Sequence, residues 1–185
     1  MDTPIDPTAA LIVVDMQKGI LRMPPAEAVA PLVDANARLA GAFHAADKPV
    51  AWVNATGLPR GRVARPIPEP AELPADFTDL HDGMPAEDRD IRVSKPLTWS
   101  AFAGTDLADQ LRARGITQVV VTGIATGAGV ESTARSAYDE GFDVVVVSDA
   151  VLDGNPTRHR NTLEEAIPSI GHVVTSGEVV AALSN

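Results

Sequence analysis

The sequence predicts an α/β fold, a three-layer α/β/α sandwich around a mainly parallel central sheet of about six strands. Three observations predict it. Short runs rich in Val, Ile and Ala alternate with helix-patterned segments along the chain, the order expected of repeated βα units. The candidate strands are apolar nearly throughout, as in strands covered on both faces. Hydrophobic residues make up 45% of the chain and aromatics only 4%, a balance that suits aliphatic strands packed under helices. A length of 185 residues is enough for one domain with a full core, so one domain over 1–185 is expected.

Ala9 to Asp15 is an apolar run closed by a carboxylate, hence a buried strand with Asp15 at its C-terminal end. Pro25 to Ala46 carries Val29, Leu32, Val33, Leu39 and Phe43 at helical spacing, and Pro25 suits a helix start. Pro49 to Ala55 reads as a second strand. From Thr56 to Arg89, six prolines and scattered charges predict a long irregular excursion, and loops of that length inside a compact domain are usually functional. Ile91 to Lys95 restores a short strand ending on Lys95. Thr105 is placed to cap a helix from Asp106 to Arg114, stopped by Gly115. Thr117 to Gly123 is a strongly β-branched strand, followed by glycines and then by a helix from Val130 to Glu140 that Gly141 ends. Asp143 to Asp149 is another buried strand, Pro156 to Ile167 a polar-faced helix, His172 to Val174 a short strand and Ser176 to Leu183 a closing helix. No internal repeat is visible. Crossovers between parallel strands are expected to be right-handed.

Composition excludes several functions. The formal net charge of −10 argues against nucleic-acid binding, because phosphate backbones select basic surfaces. No apolar run approaches the ~20 residues that span a bilayer, and Met1 to Thr8 lacks the basic-then-apolar order of a signal peptide. A cytoplasmic protein with no membrane partner is therefore expected. The chain has no cysteine, which removes disulfides, thiolate metal ligands and thiol nucleophiles.

Ligands of open parallel sheets bind outside the carboxyl ends of the strands. Asp15, Lys95 and the glycines after Gly123 all fall at such ends. A carboxyl there is partly desolvated, which raises its pKa unless a cation compensates, and Lys95 is the natural partner. An Asp–Lys pair can pass protons or stabilise developing charge; it can also be a plain ion pair at a sheet edge. The turn from Gly123 to Gly129 permits close approach of a ligand to backbone N–H groups at a helix start. Arg60, Arg62 and Arg65 are candidates to pair with substrate carboxylates, or form a solvated loop face. Trp99 and Phe102 follow Lys95 closely; packing in the core explains either equally well. Arg135 is expected at the surface. His44, His81, His159 and His172 are scattered and never paired at ligand spacing, so no metal and no other cofactor is expected.

Three segments resemble the isochorismatase-like cysteine hydrolases: Val14-Asp15-Met16-Gln17, the stretch from Ser94-Lys95 through Phe102 to Leu107, and Gly123 to Ala137. The similarity runs from Ala10 to about Val174. It implies catalytic roles for Asp15 and Lys95, and it puts Gly129 where most members carry the reactive cysteine. It implies a cis peptide between Ile124 and Ala125. It also implies a pocket built from Gln17, Trp99, Phe102, Ile124, Ala125 and Thr126. Some members bind a metal through Asp and two His, but Val53 to Gly57 holds no histidine. Neither Thr126 nor Ser132 nor Thr133 falls at the nucleophile position, so covalent amidase chemistry is not expected. True isochorismatases resemble this chain in carrying glycine there. The resemblance therefore implies non-covalent hydrolysis of a small anionic vinyl ether such as isochorismate, with Asp15 as the acid. The alternatives are an amide or ureide hydrolase that activates water, and an inactive homologue that binds a ligand. Relatives form dimers or larger assemblies, which implies a homo-oligomer.

Overall fold

The computed structural model describes residues 5–59, 61–64 and 72–184. Six strands form one sheet: β1 (Ala9–Val14), β2 (Val50–Ala55), β3 (Ile91–Lys95), β4 (Gln118–Ile124), β5 (Asp143–Leu152) and β6 (His172–Val174). The order is β3-β2-β1-β4-β5-β6, and every neighbouring pair is parallel. β1 and β4 are buried at every residue, which is why their sequences are continuously apolar or β-branched. β3 lies at an edge and alternates, with Arg92 and Ser94 exposed.

Alternate residues of the strands feed two apolar layers. Leu11, Val13, Trp52 and Val145 pack with Leu39 and Phe43 of α2 (Ala26–Ala45) and Val179 of α6 (Ser176–Leu183). Ile12, Val14, Val53 and Val121 pack on the other side with Leu107 and Leu111 of α3 (Leu107–Ala113) and with Ala134 and Ala137 of α4 (Glu131–Asp139). The three predicted layers are present. No helix among the described residues is long and apolar enough to cross a membrane.

The structure adds or alters four elements. A single turn, α1 (Lys18–Leu21), follows β1; it is too short to show a helical period. The predicted Pro156–Ile167 helix is α5 (Pro156–Asn161) followed by a π-type turn at Thr162–Ala166 and a 3₁₀ turn at Ile167–Ser169. Thr105 lies one residue before the start predicted for α3; its hydroxyl accepts a long bond from Leu107 N–H at 3.4 Å and donates to Ala101 O at 2.6 Å. Strand β5 does not stop at Asp149 but runs to Leu152, past an irregularity opposite Val121 and Gly123. Asp149, which reads in the sequence as the end of the strand, instead takes the Ser176 N–H at 2.7 Å and the Ser176 hydroxyl at 2.6 Å at the start of α6.

Candidate active site

The strand order reverses between β1 and β4, and a parallel sheet opens a crevice at the carboxyl ends of two such strands. Asp15 follows β1 directly. Its φ of 54° is left-handed, a conformation that aspartate tolerates better than most residues. Its N–H donates to Val53 O at 2.8 Å, which fixes the carboxyl over the strand ends. Lys95, the last residue of β3, reaches across the end of β2. Its Nζ lies 2.9 Å from Asp15 Oδ2 and donates to Trp99 O at 2.9 Å. Both side chains are buried, Lys95 at 2% exposure and Asp15 at 9%. Burial pushes the Asp15 carboxyl up to about 6 from 3.8, against the attraction of Lys95, which lowers it. The Ala55 N–H is committed to Gln17 Oε1 at 2.7 Å, and Asp15 Oδ1 is buried without a hydrogen-bond partner among the described residues. One oxygen of the acid is thus held by the ammonium, and the other is unspent.

The opposite wall comes from β4. Gly123 has φ 107°, and a Cβ there would collide with the Val14 carbonyl, so only glycine lets the ends of β1 and β4 close up. The Ile124–Ala125 peptide is cis. A π-type turn at Thr126–Val130 then leads into α4. At Gly129 an added Cβ would stand 3.1 Å from Val14 Cγ1, 3.3 Å from Ile124 O and 3.4 Å from Asp15 Oδ2. The bare backbone at 129 therefore borders the acid directly. A cavity of about 510 Å³ opens above these groups, with Asp15, Lys95, Ile124, Ala125 and Gly129 in its lining. Ile20, Met23, Leu58 and Pro59 give it apolar walls, and Trp99, 44% exposed, stands at its rim. That size suits a small molecule.

Of the residues expected from sequence, Asp15, Lys95, Trp99, Ile124, Ala125 and Gly129 converge on this cavity. Gln17 does not. It is fully buried, donating to Ala55 O at 3.0 Å and Phe77 O at 2.8 Å while accepting from Ala55 N–H. Its amide is consumed in tying the 56–89 excursion to the end of β2. Phe102 is also diverted, packing against Phe142 with ring centroids 5.9 Å apart in the layer under α3. Thr126 is fully buried, and its hydroxyl pairs with His159 Nδ1 at 2.8 Å, outside the cavity lining. Thr133 is likewise spent, accepting from Ala101 N–H at 3.0 Å. Arg62 is exposed and is not part of the cavity lining. Arg60 and Arg65 lie outside the described residues. Arg135 pairs with Glu131 on the surface of α4 at 2.9 Å. Among the described residues no group of three or more His, Asp or Glu side chains could hold a metal ion.

Sequence reasoning missed Asp153 and Arg158. Arg158 lines the cavity and is bound to Asp153 through Nε to Oδ2 at 2.9 Å and Nη2 to Oδ1 at 2.7 Å. Asp153 also accepts Gly127 N–H at 2.9 Å and Asn155 N–H at 2.8 Å. Burial acts to raise the Asp153 pKa, but Arg158 and these two N–H groups outweigh it and hold the carboxyl below its usual range. The available signal was a second carboxylate, four residues after Asp149, with an arginine five residues beyond it.

The model of the isochorismatase domain matches residues 9–178. The chain belongs to the isochorismatase family. It is 37% identical over 182 residues to the isochorismatase family protein YecD of Escherichia coli O157:H7, covering 95% of this chain and 96% of that one. A protein of Pseudomonas chlororaphis named "Probable isochorismatase" is 30% identical over 190 residues, covering 95% and 87%. The ureidoacrylate amidohydrolase RutB of Methylorubrum extorquens is 38% identical over 107 residues, covering 57% of this chain and 43% of that protein. The solved structure of an isochorismatase family protein from Burkholderia thailandensis superposes with a TM-score of 0.91 at 37% identity, over 99% of both chains. The family is one of hydrolases, and the parallel six-stranded sheet flanked by helices is its fold.

Proposed function

We propose that this chain hydrolyses the enol-ether bond of a small carboxylated vinyl ether such as isochorismate, without a covalent enzyme intermediate. The observation that carries the reading is the state of Asp15. Its carboxyl is protonatable near neutrality, has one oxygen without a partner among the described residues, and faces a position with no side chain in a protein with no cysteine. Asp15 delivers its proton to the terminal CH₂ carbon of the enolpyruvyl group. The ether oxygen stabilises the resulting cation. Water adds to the cationic carbon and returns a proton to Asp15, and the hemiketal collapses to pyruvate and the alcohol. Lys95 stabilises the carboxylate that exists between the two proton transfers. The bare Gly129 leaves room for the substrate where the family resemblance puts a thiol. Similarity to the Pseudomonas chlororaphis protein over nearly the whole chain supports the same reading.

Incubation with isochorismate should release pyruvate, and Asp15→Asn should lower that rate by at least about 100-fold, the usual contribution of a positioned acid. A rate unchanged in a folded Asp15→Asn variant would sink the proposal. The shorter similarity to RutB favours a second reading, hydrolysis of an amide or ureide by water that Asp15 activates. Ammonia release from ureidoacrylate, with no pyruvate from isochorismate, would decide for it. Stabilisation by ligand without turnover of either would mark a binding protein.

A further inference from the structure

We infer that Arg158 is the specificity-determining anchor for a substrate carboxylate, and that the site selects an anionic head on a flat apolar body. The inference rests on the reading that the cavity over Asp15 is the active site. A guanidinium presents two edges able to bind a carboxylate through paired N–H bonds. In Arg158 the Nε/Nη2 edge is taken by Asp153. The Nη1/Nη2 edge has no protein acceptor among the described residues. The side chain is 49% exposed while Asp153 is fully buried behind it, so one edge is anchored and the other is presented outward.

The surroundings are built around this residue. Gly127 carries no side chain, and a Cβ there would collide with Arg158 Cγ. The arginine stem therefore lies across the turn that contains Gly129, while the Gly127 N–H shares the Asp153 carboxylate at 2.9 Å. This lock holds the arginine against the turn whose Gly129 borders Asp15. Lys95 and Arg158 are the two cations in the described lining, and Lys95 is consumed by Asp15 and Trp99 O. Among the described cations of the lining, anion recognition thus falls to Arg158. Most of the rest of the wall is apolar, including Ile20, Met23, Leu58 and Trp99, and favours an uncharged, apolar body.

Benzoate and benzamide share a flat ring and differ in the charge of the head, so they test the claim without turnover. Calorimetry on the wild-type chain should show benzoate bound more tightly than benzamide. Arg158→Gln should weaken benzoate about 10- to 100-fold, the worth of a charge-assisted pair, and leave benzamide within about twofold. Arg158→Lys keeps a charge to hold Asp153 but lacks the second edge, and should lose most of the preference; it decides the matter if Arg158→Gln unfolds. No benzoate binding, no preference for benzoate, or a preference that survives in both folded variants overturns the inference. Pyruvate release with a KM unaffected by Arg158→Gln would sink this anchor alone. Carboxylate binding through Arg158 with no pyruvate release would sink the proposed reaction alone.

Discussion

At the scale of single residues, the site depends on opposing effects on one carboxyl group. Burial raises the Asp15 pKa to about 6, and Lys95 only partly offsets this. The folded chain then holds this proton more tightly than the unfolded chain does. The Asp15 contribution to stability must fall as pH rises from about 4 to about 6 and stay low above that. Wild type measured against Asp15→Asn by urea unfolding should lose on the order of 2 kcal/mol between pH 4 and pH 7; a difference independent of pH would show that the carboxyl is not raised. If the protonated form is the catalyst, kcat/KM for pyruvate release should also fall with a midpoint near pH 6 in the free enzyme. Asp15 and Lys95 were legible in the sequence because each closes a readable strand, Asp15 after an apolar run and Lys95 after the alternating Ile91 to Ser94. Gln17 was misjudged because Asp15, two residues before it, faces the cavity while its own amide turns toward Ala55 and Phe77.

At the scale of elements, the carboxyl ends of β1 and β4 are held close enough to share a crevice wall. Gly123 is the residue that permits it, with φ 107° and no room for a Cβ against Val14. Gly123→Ala should destabilise the fold by at least about 2 kcal/mol, measured by denaturant midpoint. A cost under about 0.5 kcal/mol would show that the two strand ends can separate freely. The glycine-rich turn was visible in the sequence as a turn. The extension of β5 to Leu152 was not, since the polar pair Ser148-Asp149 imitates a strand end. That extension is what carries Arg158 to the cavity, with Asp153 buried behind it.

At the scale of the molecule, Asp15 and the turn to Gly129 follow the two most deeply covered strands, β1 and β4, whereas Lys95 ends an edge strand. β1 and β4 are central and fully buried, while β3 is an edge strand and β6 an edge of three residues. Backbone amides of β1 and β4 should therefore exchange with solvent only through global unfolding, and those of β6 through local opening. Hydrogen-exchange mass spectrometry across a urea series checks this: the β1 and β4 peptides should share one urea-dependent free energy, and β6 should exchange sooner with little dependence. Equal protection of β1 and β6 would contradict the picture of a rigid platform beneath the site.

The chain's own sequence determined the layers, the strand positions and the two ends that deliver the acid and the ammonium. Apolar runs and helical spacing are local patterns that a linear reading captures. Which polar side chains face the cavity was decided only in three dimensions. A buried amide, hydroxyl or guanidinium takes the partner that folding brings to it. Gln17 and Thr126 found protein partners within the fold, whereas Arg158 acquired its anchor at Asp153 and kept an edge free of acceptors among the described residues.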